Sequence, residues 1–273
     1  MLKFLIPCFL VSFVTFEVTA QDINGHVTNK SDNTPLAYVN IGVIGKGQGT
    51  ASDTLGRFTL RLGAGLEQDS VRISMIGFTP QTFSVPDFRK LAARGQIQIQ
   101  LDPAIVQMEE VYISGRKLQK KRLGNTSQSK FYTIGFSSDQ LGNELATRIK
   151  IKRPARLLAF HAFIVDNTYG KVQFRLKIYN IKDGLPTRLI IKDIIYVETN
   201  IKAGPLQIDL RPYDITCDQD IAVSLEWIED LEVGDLHFSA SLFGNPAFFR
   251  TASQGNWEKS GTFTVGFSVD VEQ

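Results

Sequence analysis

The 273-residue sequence predicts an all-β protein with two β-sandwich domains. From residue 22 onward, segments rich in Val, Ile, Phe and Thr are interrupted by Gly, Asn, Asp or Pro at roughly the eight-to-twelve-residue spacing of sandwich strands. Helical periodicity is almost absent. After removal of a predicted leader, about 250 residues remain, and this length accommodates two cores of roughly 100 to 150 residues each.

The leader is predicted over residues 1–20. Lys3 supplies a positive start, "FLIPCFLVSFVTF" an apolar run, and "VTA", ending at Ala20, a small-residue cleavage site. The run is shorter than the roughly 20 residues of a spanning helix. Since no later segment is longer and as apolar, we expect an exported chain without a transmembrane span. The expected location is the periplasm, the outer-membrane surface or the medium, and a lipoprotein anchored through Cys8 is the alternative.

Charge and cysteine content argue against a nucleic-acid-binding protein and against a disulfide-stabilised one. The sequence has 30 Lys and Arg against 28 Asp and Glu, and this balance gives no reason to expect nucleic acid as a partner. Cys217 is the only cysteine after the leader, so the mature chain forms no internal disulfide.

The first domain is predicted over residues 21–103, with seven strands. They are "DINGHVTN", "PLAYVNIGVI", "GTASD", "GRFTLRL", "DSVRISMIG", "QTFSVP" and "QIQIQL". One short helix is expected at "DFRKLAAR", with Asp87 as its N-cap and with Phe88 and Leu91 on one face.

The glycine-rich stretch "NIGVIGKGQGTASDTLGRFTL" has the composition of a phosphate-binding loop, but the pattern argues against one. Lys46 is followed by Gly47 instead of Ser or Thr, and a strand pattern follows where a helix is required. Asp53 and Gly56 instead fit the first and fourth positions of a tight turn. Phe58, two residues further on, is then expected to face the core.

The same segment, "GHVTNKSDNTPLAYVNIGVIGKGQGTASDTLGRFTLRL", followed by "DSVRISMIGFTPQTFSV", resembles the carboxypeptidase regulatory-like domain. The resemblance rests on "G.V.......PL..V.I", "GT.SD..G.F.L" and "IGF". It implies a seven-stranded transthyretin-like sandwich without catalytic residues, found in exported Gram-negative proteins. "LDPAIVQMEEVYISGRK" also resembles the connection after this module in TonB-dependent receptors, but the rest of the chain is too short for a receptor barrel.

A linker is predicted over residues 104–130, because "GRKLQKKRLGNTSQSK" is basic and polar. Its cluster of Lys117, Lys120, Lys121 and Arg122 is interpreted as a solvated surface, with an anionic lipid or partner as the alternative.

The second domain is predicted over residues 131–273 as a jelly-roll-like sandwich of eight strands. These are "ELATRIKIK", "ARLLAFHAFIVD", "KVQFRLKIYNI", "LIIKDIIYVE", "GPLQIDLR", "DIAVSLEWIE", "DLHFSASLF" and "TFTVGFSVDV". In "KVQFRLKIY" apolar residues alternate with Lys171, Gln173, Arg175 and Lys177, so one face is expected in the core and the other in water.

Residues able to carry chemistry are few in this domain. Glu226 and Glu229 in "EWIED" are interpreted as surface charge, because residues three apart on a strand face opposite sides. His161 in "LLAFHAFIV" is expected to be half-buried and hydrogen-bonded. Cys217 lies in no nucleophile motif.

Metal ligation is predicted to be absent. His26, His161 and His237 are far apart and lack zinc-ligand spacing, so the zinc set of a metallocarboxypeptidase is missing. A structural calcium is the alternative, and its candidate ligands are Asp218, Asp220 and Asn167, although their spacing matches no known calcium loop.

The candidate binding site is Trp257 with Phe249 and Arg250, in the turn-rich segment "FGNPAFFRTASQGNWEKSGTF". Trp227 is expected in the core because Val223, Leu225 and Trp227 alternate on one face. Trp257 is interpreted either as a platform for a sugar ring or a partner, or as a plug at the end of the sandwich.

These observations predict a non-enzymatic exported protein that acts as a scaffold or binding module of the cell envelope, with no catalytic residue, cofactor or metal. The partner is expected to be another envelope protein or a glycan. One alternative is a carbohydrate-binding protein that works with a glycan-uptake or degradation system. The other is an accessory subunit of a carboxypeptidase-type enzyme, which the resemblance alone implies.

Overall fold

A computed structural model of the chain describes residues 20–104, 118–136, 140–231 and 233–273. The structure is 52% strand and 5% helix, and its strands form packed sandwich sheets, so the predicted all-β fold is confirmed. The predicted signal peptide, apart from its last residue, Ala20, lies outside the described residues and stays a prediction.

The first sandwich has seven strands within residues 20–104, as predicted. They are β1 (Gln21–Asn29), β2 (Asn40–Val43), β3 (Gly49–Ala51), β4 (Arg57–Leu62), β5 (Ser70–Ser74), β6 (Gln81–Ser84) and β7 (Ile97–Leu101). One sheet has the order β4-β1-β7 and the other β3-β2-β5-β6. Alternate residues of β4 and β7, such as Phe58 and Leu60 of β4, are buried between the sheets.

The glycine-rich stretch forms β2, β3 and β4, so it does not open a helix. Asp53 and Gly56 close the predicted turn: the amide of Gly56 donates to the carbonyl of Asp53 at 3.0 Å, and Gly56 has a φ of +74°. The Asp53 carboxylate also accepts from the amides of Leu55 and Arg57 at 2.8 Å. The turn interpretation of this stretch is confirmed.

Helix α1 spans Val85–Ala92 and begins before the predicted "DFRKLAAR". Its N-cap is Ser84, whose hydroxyl accepts from the amide of Asp87 at 3.1 Å and donates to the Asp87 carboxylate at 2.7 Å. The assignment of Asp87 as N-cap was therefore wrong, because Pro86 is accommodated in the first turn. Phe88 is buried and Leu91 partly buried against the same core, as predicted.

The second sandwich has fifteen strands among the described residues and a short 3-10 helix at Arg211–Tyr213. They are β8 (Lys120–Gly124), β9 (Thr133–Phe136), β10 (Glu144–Ile149), β11 (Ala155–Asn167), β12 (Val172–Lys182), β13 (Leu185–Leu189), β14 (Ile195–Thr199), β15 (Gly204–Asp209), β16 (Thr216–Cys217), β17 (Ile221–Trp227), β18 (Leu236–Leu242), β19 (Ala247–Arg250), β20 (Glu258–Lys259), β21 (Phe263–Val265) and β22 (Ser268–Glu272).

These strands form two sheets. One has the order β13-β12-β17-β10-β19-β20, with β14 also paired to β12, and is called the docking sheet below. The other contains β21, β18, β11, β22 and β8, together with β9, β15 and β16. The chain crosses repeatedly from one sheet to the other. Strands β10, β12, β17 and β19 belong to the docking sheet, whereas β11, β15 and β18 belong to the other sheet. Such crossing is typical of a jelly-roll-like sandwich.

The main core lies between these two sheets. Trp227 is fully buried there, with Phe136 and Phe174 at ring-centroid distances of 5.4 Å, so its predicted core position is confirmed. The apolar residues of β12, including Leu176 and Ile178, face the same core.

The predicted linker includes a strand. Residues 120–124 form β8, which pairs antiparallel with β22 at the edge of a sheet. Lys120 and Lys121 remain exposed there. A basic edge strand and a basic linker have the same composition, because both keep their charges in water. Residues 105–117, including Lys117, lie outside the described residues, and the predicted domain boundaries stay a prediction.

Candidate functional site at the domain interface

The first sandwich packs through β2 and β3 onto the outer face of the docking sheet. Asn40 of β2 donates from Nδ2 to Oε1 of Glu226 on β17 at 2.8 Å. Arg175 of β12 donates from Nη1 to the carbonyl of Tyr38 at 2.8 Å. Strand β2 is therefore buried on both faces, since Ile41 lies in the core of the first sandwich while Asn40 faces the second.

Strand register brings five charged side chains together on this covered face. Arg175 lies opposite Glu226 between β12 and β17, and Glu144 of β10 lies opposite Glu226 on one side and Arg250 on the other. The five are the cations Arg175, Lys177 and Arg250 and the anions Glu144 and Glu226, and none has a side chain more than 11% exposed. We call this set the interface network.

Glu226 is the centre of one half of the network. Its carboxylate accepts from Nε of Arg175 at 2.7 Å and from Nδ2 of Asn40, and lies 2.7 Å from Nζ of Lys177. Burial by itself raises the pKa of Glu226, but the charges of Arg175, Lys177 and Arg250 outweigh burial and lower this pKa to about 2. The carboxylate is thus held in its charged form by the second sandwich and hydrogen-bonded by the first.

Glu144 is the centre of the other half. It accepts from the hydroxyls of Ser224 and Tyr179, the latter at 2.9 Å, and from Nε of Arg250 at 2.9 Å. The pKa of Tyr179 is raised well above its usual value, mainly by burial and secondly by the charge of Glu144. The phenol therefore stays protonated and acts as a hydrogen-bond donor.

Lys177 lies between the two carboxylates, 2.7 Å from Glu226 and 3.5 Å from Glu144. Burial lowers the pKa of Lys177 to about 8, although both carboxylates oppose this change. With Lys177 protonated, the network has one positive charge in excess. The side chains of the network are engaged in ion pairs and hydrogen bonds with one another. This arrangement is typical of an interface that holds two domains in a fixed relative position.

Two expectations from the sequence are wrong here. Glu226 is fully buried and is not surface charge, and Arg175 and Lys177 of the predicted wet face are buried as well. Lys171, one residue before the strand, is exposed as predicted, in an ion pair with Glu198 at 2.9 Å. The alternating pattern correctly separated core from outer face, but the first sandwich covers that outer face and excludes water from it.

A loop of the second sandwich inserts against the glycines of the first. The backbone of Ser253 lies so close to Gly42 and Gly49 that a Cβ on either glycine would clash with the Ser253 carbonyl oxygen. Gln254 continues the contact, since its carbonyl accepts from the amide of Gly45 at 2.9 Å. Glycine inside a strand often marks the close approach of another backbone, and this was the one sequence signal of the interface.

Replacement of Gly42 by alanine is expected to destabilise the packed pair of domains by about 1–3 kcal/mol, because the added methyl group overpacks the contact with Ser253. Urea denaturation measures the loss. Gly261→Ala is the matched control, since a Cβ there meets nothing within 4 Å. Equal stability of Gly42→Ala and Gly261→Ala would contradict the close packing.

The structure brings two of the three predicted binding residues together. The Arg250 guanidinium carbon lies 4.8 Å from the ring centroid of Trp257, and the ring of Tyr179 meets Trp257 edge-on at 5.5 Å. Phe249 lies one residue along β19 from Arg250, so it faces the other side of the sheet and packs against the main core. Trp257 itself is half-buried on the outer face of the docking sheet. Whether it binds a ligand stays a prediction.

A groove of about 620 Å³ opens between the two sandwiches beside this interface. The first sandwich contributes Tyr38 together with polar residues, and the second contributes Glu229 and Leu141. Oε2 of Glu229 is buried and has no hydrogen-bond partner among the described residues. The pKa of Tyr38 is raised, mainly by partial burial and secondly by the charge of Glu229. The groove thus combines an aromatic ring with an unsatisfied acceptor.

His161 and Cys217 are structural. Nε2 of His161 lies 2.8 Å from Asp270 and 3.0 Å from Nη2 of Arg122, so the histidine is hydrogen-bonded and half-buried, as predicted. Cys217 is buried, and burial raises the pKa of its thiol to about 12, which makes it a poor nucleophile at neutral pH.

Two of the alternative calcium ligands, Asp220 and Asn167, lie beside different sheets. Asp220 accepts from Arg148 at 2.8 Å and from the amide of Ile151 at 2.9 Å beside the docking sheet. Asn167 ends β11 in the other sheet and donates to the carbonyl of Gly170 at 2.7 Å. Across the described ranges, no group of three or more His, Cys, Asp or Glu side chains is placed to hold a metal ion.

The fold and interface define an all-β protein with two packed sandwiches. Residues 23–113 match the family model of the CarboxypepD_reg-like domain, so the resemblance found in the sequence is confirmed for this third of the chain. The sequence matches no curated protein. Within the described residues, no helix has the length and apolar character to cross a membrane.

Solved structures aligned with this chain include two structures of infectious bursal disease virus. The Gx strain structure is 10% identical over 93% of this chain, with a TM-score of 0.27, and the Gt strain structure is 11% identical over 93%, with a TM-score of 0.29. The chain spans 65% and 63% of their respective lengths. Superpositions this poor carry no argument about the present protein.

Proposed function

We propose that this protein is an exported, non-enzymatic scaffold or binding component of the cell envelope. The observation that carries the proposal is the interface network, which joins the sandwiches through Arg175, Glu226 and Asn40. Its acidic and basic groups are engaged with one another, as expected of a scaffold and not of a site of acid–base catalysis. The predicted leader supports export, and the matched N-terminal domain is non-catalytic.

A glycan is the ligand that the groove favours. Sugars bind where an aromatic ring lies among a few convergent hydrogen-bonding groups. Tyr38 supplies the ring, and Asn24, Gln96 and Glu229 supply donors and acceptors along the same groove. The volume of about 620 Å³ is within the range of small-molecule sites. Trp257 lies outside the residues that line the groove, so the two candidate platforms are separable by mutation.

The glycan proposal is tested with the mature chain, residues 21–273, on a glycan array. We expect saturable binding that Tyr38→Asn weakens at least about tenfold, the effect of losing about 1.4 kcal/mol. Asparagine is chosen because Tyr38 has a φ of +59°, which Asn tolerates. Tyr132→Asn, which removes a 43% exposed ring outside the groove, is the control.

The outcomes separate the functions proposed. Loss of binding in Trp257→Ala but not in Tyr38→Asn would transfer the glycan site to Trp257. Absence of any glycan binding would leave the scaffold function and reject the carbohydrate-binding one. Metal-dependent release of C-terminal residues from peptides by the purified chain would overturn the non-enzymatic proposal and favour the carboxypeptidase alternative. Recovery of the native protein in the cytoplasm would contradict export.

A further inference from the structure

A second, smaller cavity of about 190 Å³ lies between the sandwiches, and the glycan proposal does not involve it. Its polar lining comes from Arg175 and Lys177 of β12 and from Asn40 and Arg72 of the first sandwich. The remaining lining is mainly apolar and comprises Met75, Ile76, Phe78, Pro80 and Leu189, with the hydroxyl-bearing Ser74. The cavity is thus cationic on one side and hydrophobic on the other.

The cations of this cavity are not fully neutralised. The interface network next to it contains three cations and two carboxylates, and each carboxylate is already shared between two cations. The guanidinium of Arg72 is exposed at the cavity and has no ion pair or hydrogen bond with any residue that the structure describes. The excess positive charge of the interface network is buried, and an uncompensated buried charge is unfavourable, so an anion bound in the cavity would stabilise the network.

We propose that this cavity binds a carboxylate carried on a short apolar group, such as a branched short-chain acid or the C-terminal residue of a peptide. The carboxylate would lie against Arg72 and Lys177, because a planar guanidinium and an ammonium both form charge-assisted hydrogen bonds with it. The apolar group would contact Met75, Phe78 and Leu189. The volume equals that of about six water molecules, which suits an acid of this size and excludes a long chain.

Isothermal titration of the mature chain with sodium isovalerate, at constant ionic strength, tests the proposal. We expect saturable one-to-one binding and a Kd at least about tenfold weaker in Arg72→Gln, as is usual when one charged hydrogen-bond partner is lost. The melting temperature of unliganded Arg72→Gln should remain that of the wild type, because the side chain is exposed and unpaired. Arg94→Gln, which removes another exposed arginine of the same sandwich, should bind like the wild type.

Further ligands define the chemistry. Isoamyl alcohol, which has the apolar group without the charge, should not bind, and phosphate should not compete. A Kd unchanged by Arg72→Gln, or equal binding of chloride and phosphate, would overturn the proposal. Competition by a leucine-terminated peptide with a free carboxylate, but not by its amide, would assign the ligand to peptide C-termini. Binding of isovalerate without such competition would assign it to free acids.

Discussion

Replacement of Arg175 by methionine is expected to lower the free energy of unfolding by about 3–5 kcal/mol, the typical loss when one partner of a buried ion pair is removed. Arg175 is 1% exposed and donates to Glu226, to Asn40 and to the carbonyl of Tyr38. Without the guanidinium, the Glu226 carboxylate loses its main counter-charge in a site that excludes water. The Tyr38 carbonyl also loses its donor across the interface.

Chemical denaturation followed by tryptophan fluorescence measures this loss, because both tryptophans, Trp227 and Trp257, lie in the second sandwich. Lys171→Met is the matched control. It removes the exposed cation of the Lys171–Glu198 pair just before the same strand, where solvent screens the charges, and it should leave the unfolding midpoint near that of the wild type. A loss below about 1 kcal/mol in Arg175→Met would show that the network does not support the fold.

The double variant Arg175→Met with Glu226→Met refines this result. Removing both charges leaves no uncompensated carboxylate, and apolar replacements of buried ion pairs are often neutral or stabilising. We therefore expect the double variant to be more stable than Arg175→Met alone. If the double variant is less stable than the wild type by the sum of the two single losses, the two side chains act independently.

Acidification is expected to remove about 3 kcal/mol of stability through Glu226. Its pKa is about 2 in the folded protein against 4.5 normally, and each unit corresponds to about 1.4 kcal/mol. Because the folded state binds this proton less tightly than the unfolded state does, the stabilisation is complete above pH 4.5 and is lost as the pH falls toward 2. The cations Arg175, Lys177 and Arg250, which maintain their charge in this range, are the cause.

Urea denaturation of the wild type and Glu226→Gln between pH 7 and 2 measures this effect. The variant lacks the titrating group, so the difference in stability between the two proteins should shrink below pH 4.5. Asp209→Asn is the contrasting control. Hydrogen bonds from Arg211 also lower the pKa of Asp209, but this pair is exposed and screened by solvent, so its loss should change the acid profile much less than Glu226→Gln does. If the difference in stability between the wild type and Glu226→Gln stays constant with pH, Glu226 is not the group that causes the loss of stability in acid.

Local patterns in the sequence were sufficient for the framework of the fold. Tight turns depend on neighbouring residues, so Asp53 and Gly56 identified theirs correctly. Strand alternation depends on one face meeting one core, so Phe58 and Trp227 were placed correctly. The helix start was misplaced because Ser84, three residues before Asp87, caps it from a strand end. The regulatory-like domain was recognisable because its motifs coincide with these turns and strands.

The sequence by itself thus determined the all-β class, the seven strands of the first sandwich, the buried tryptophan and the family of the N-terminal domain. Only the tertiary structure decided that Glu226, Arg175 and Lys177 are buried. It also decided that the backbone of Ser253 packs directly against Gly42. The physical reason is that burial of an outer strand face depends on a surface from residues far away in the chain. Asn40 and Glu226 are 186 residues apart, and no local pattern encodes their contact.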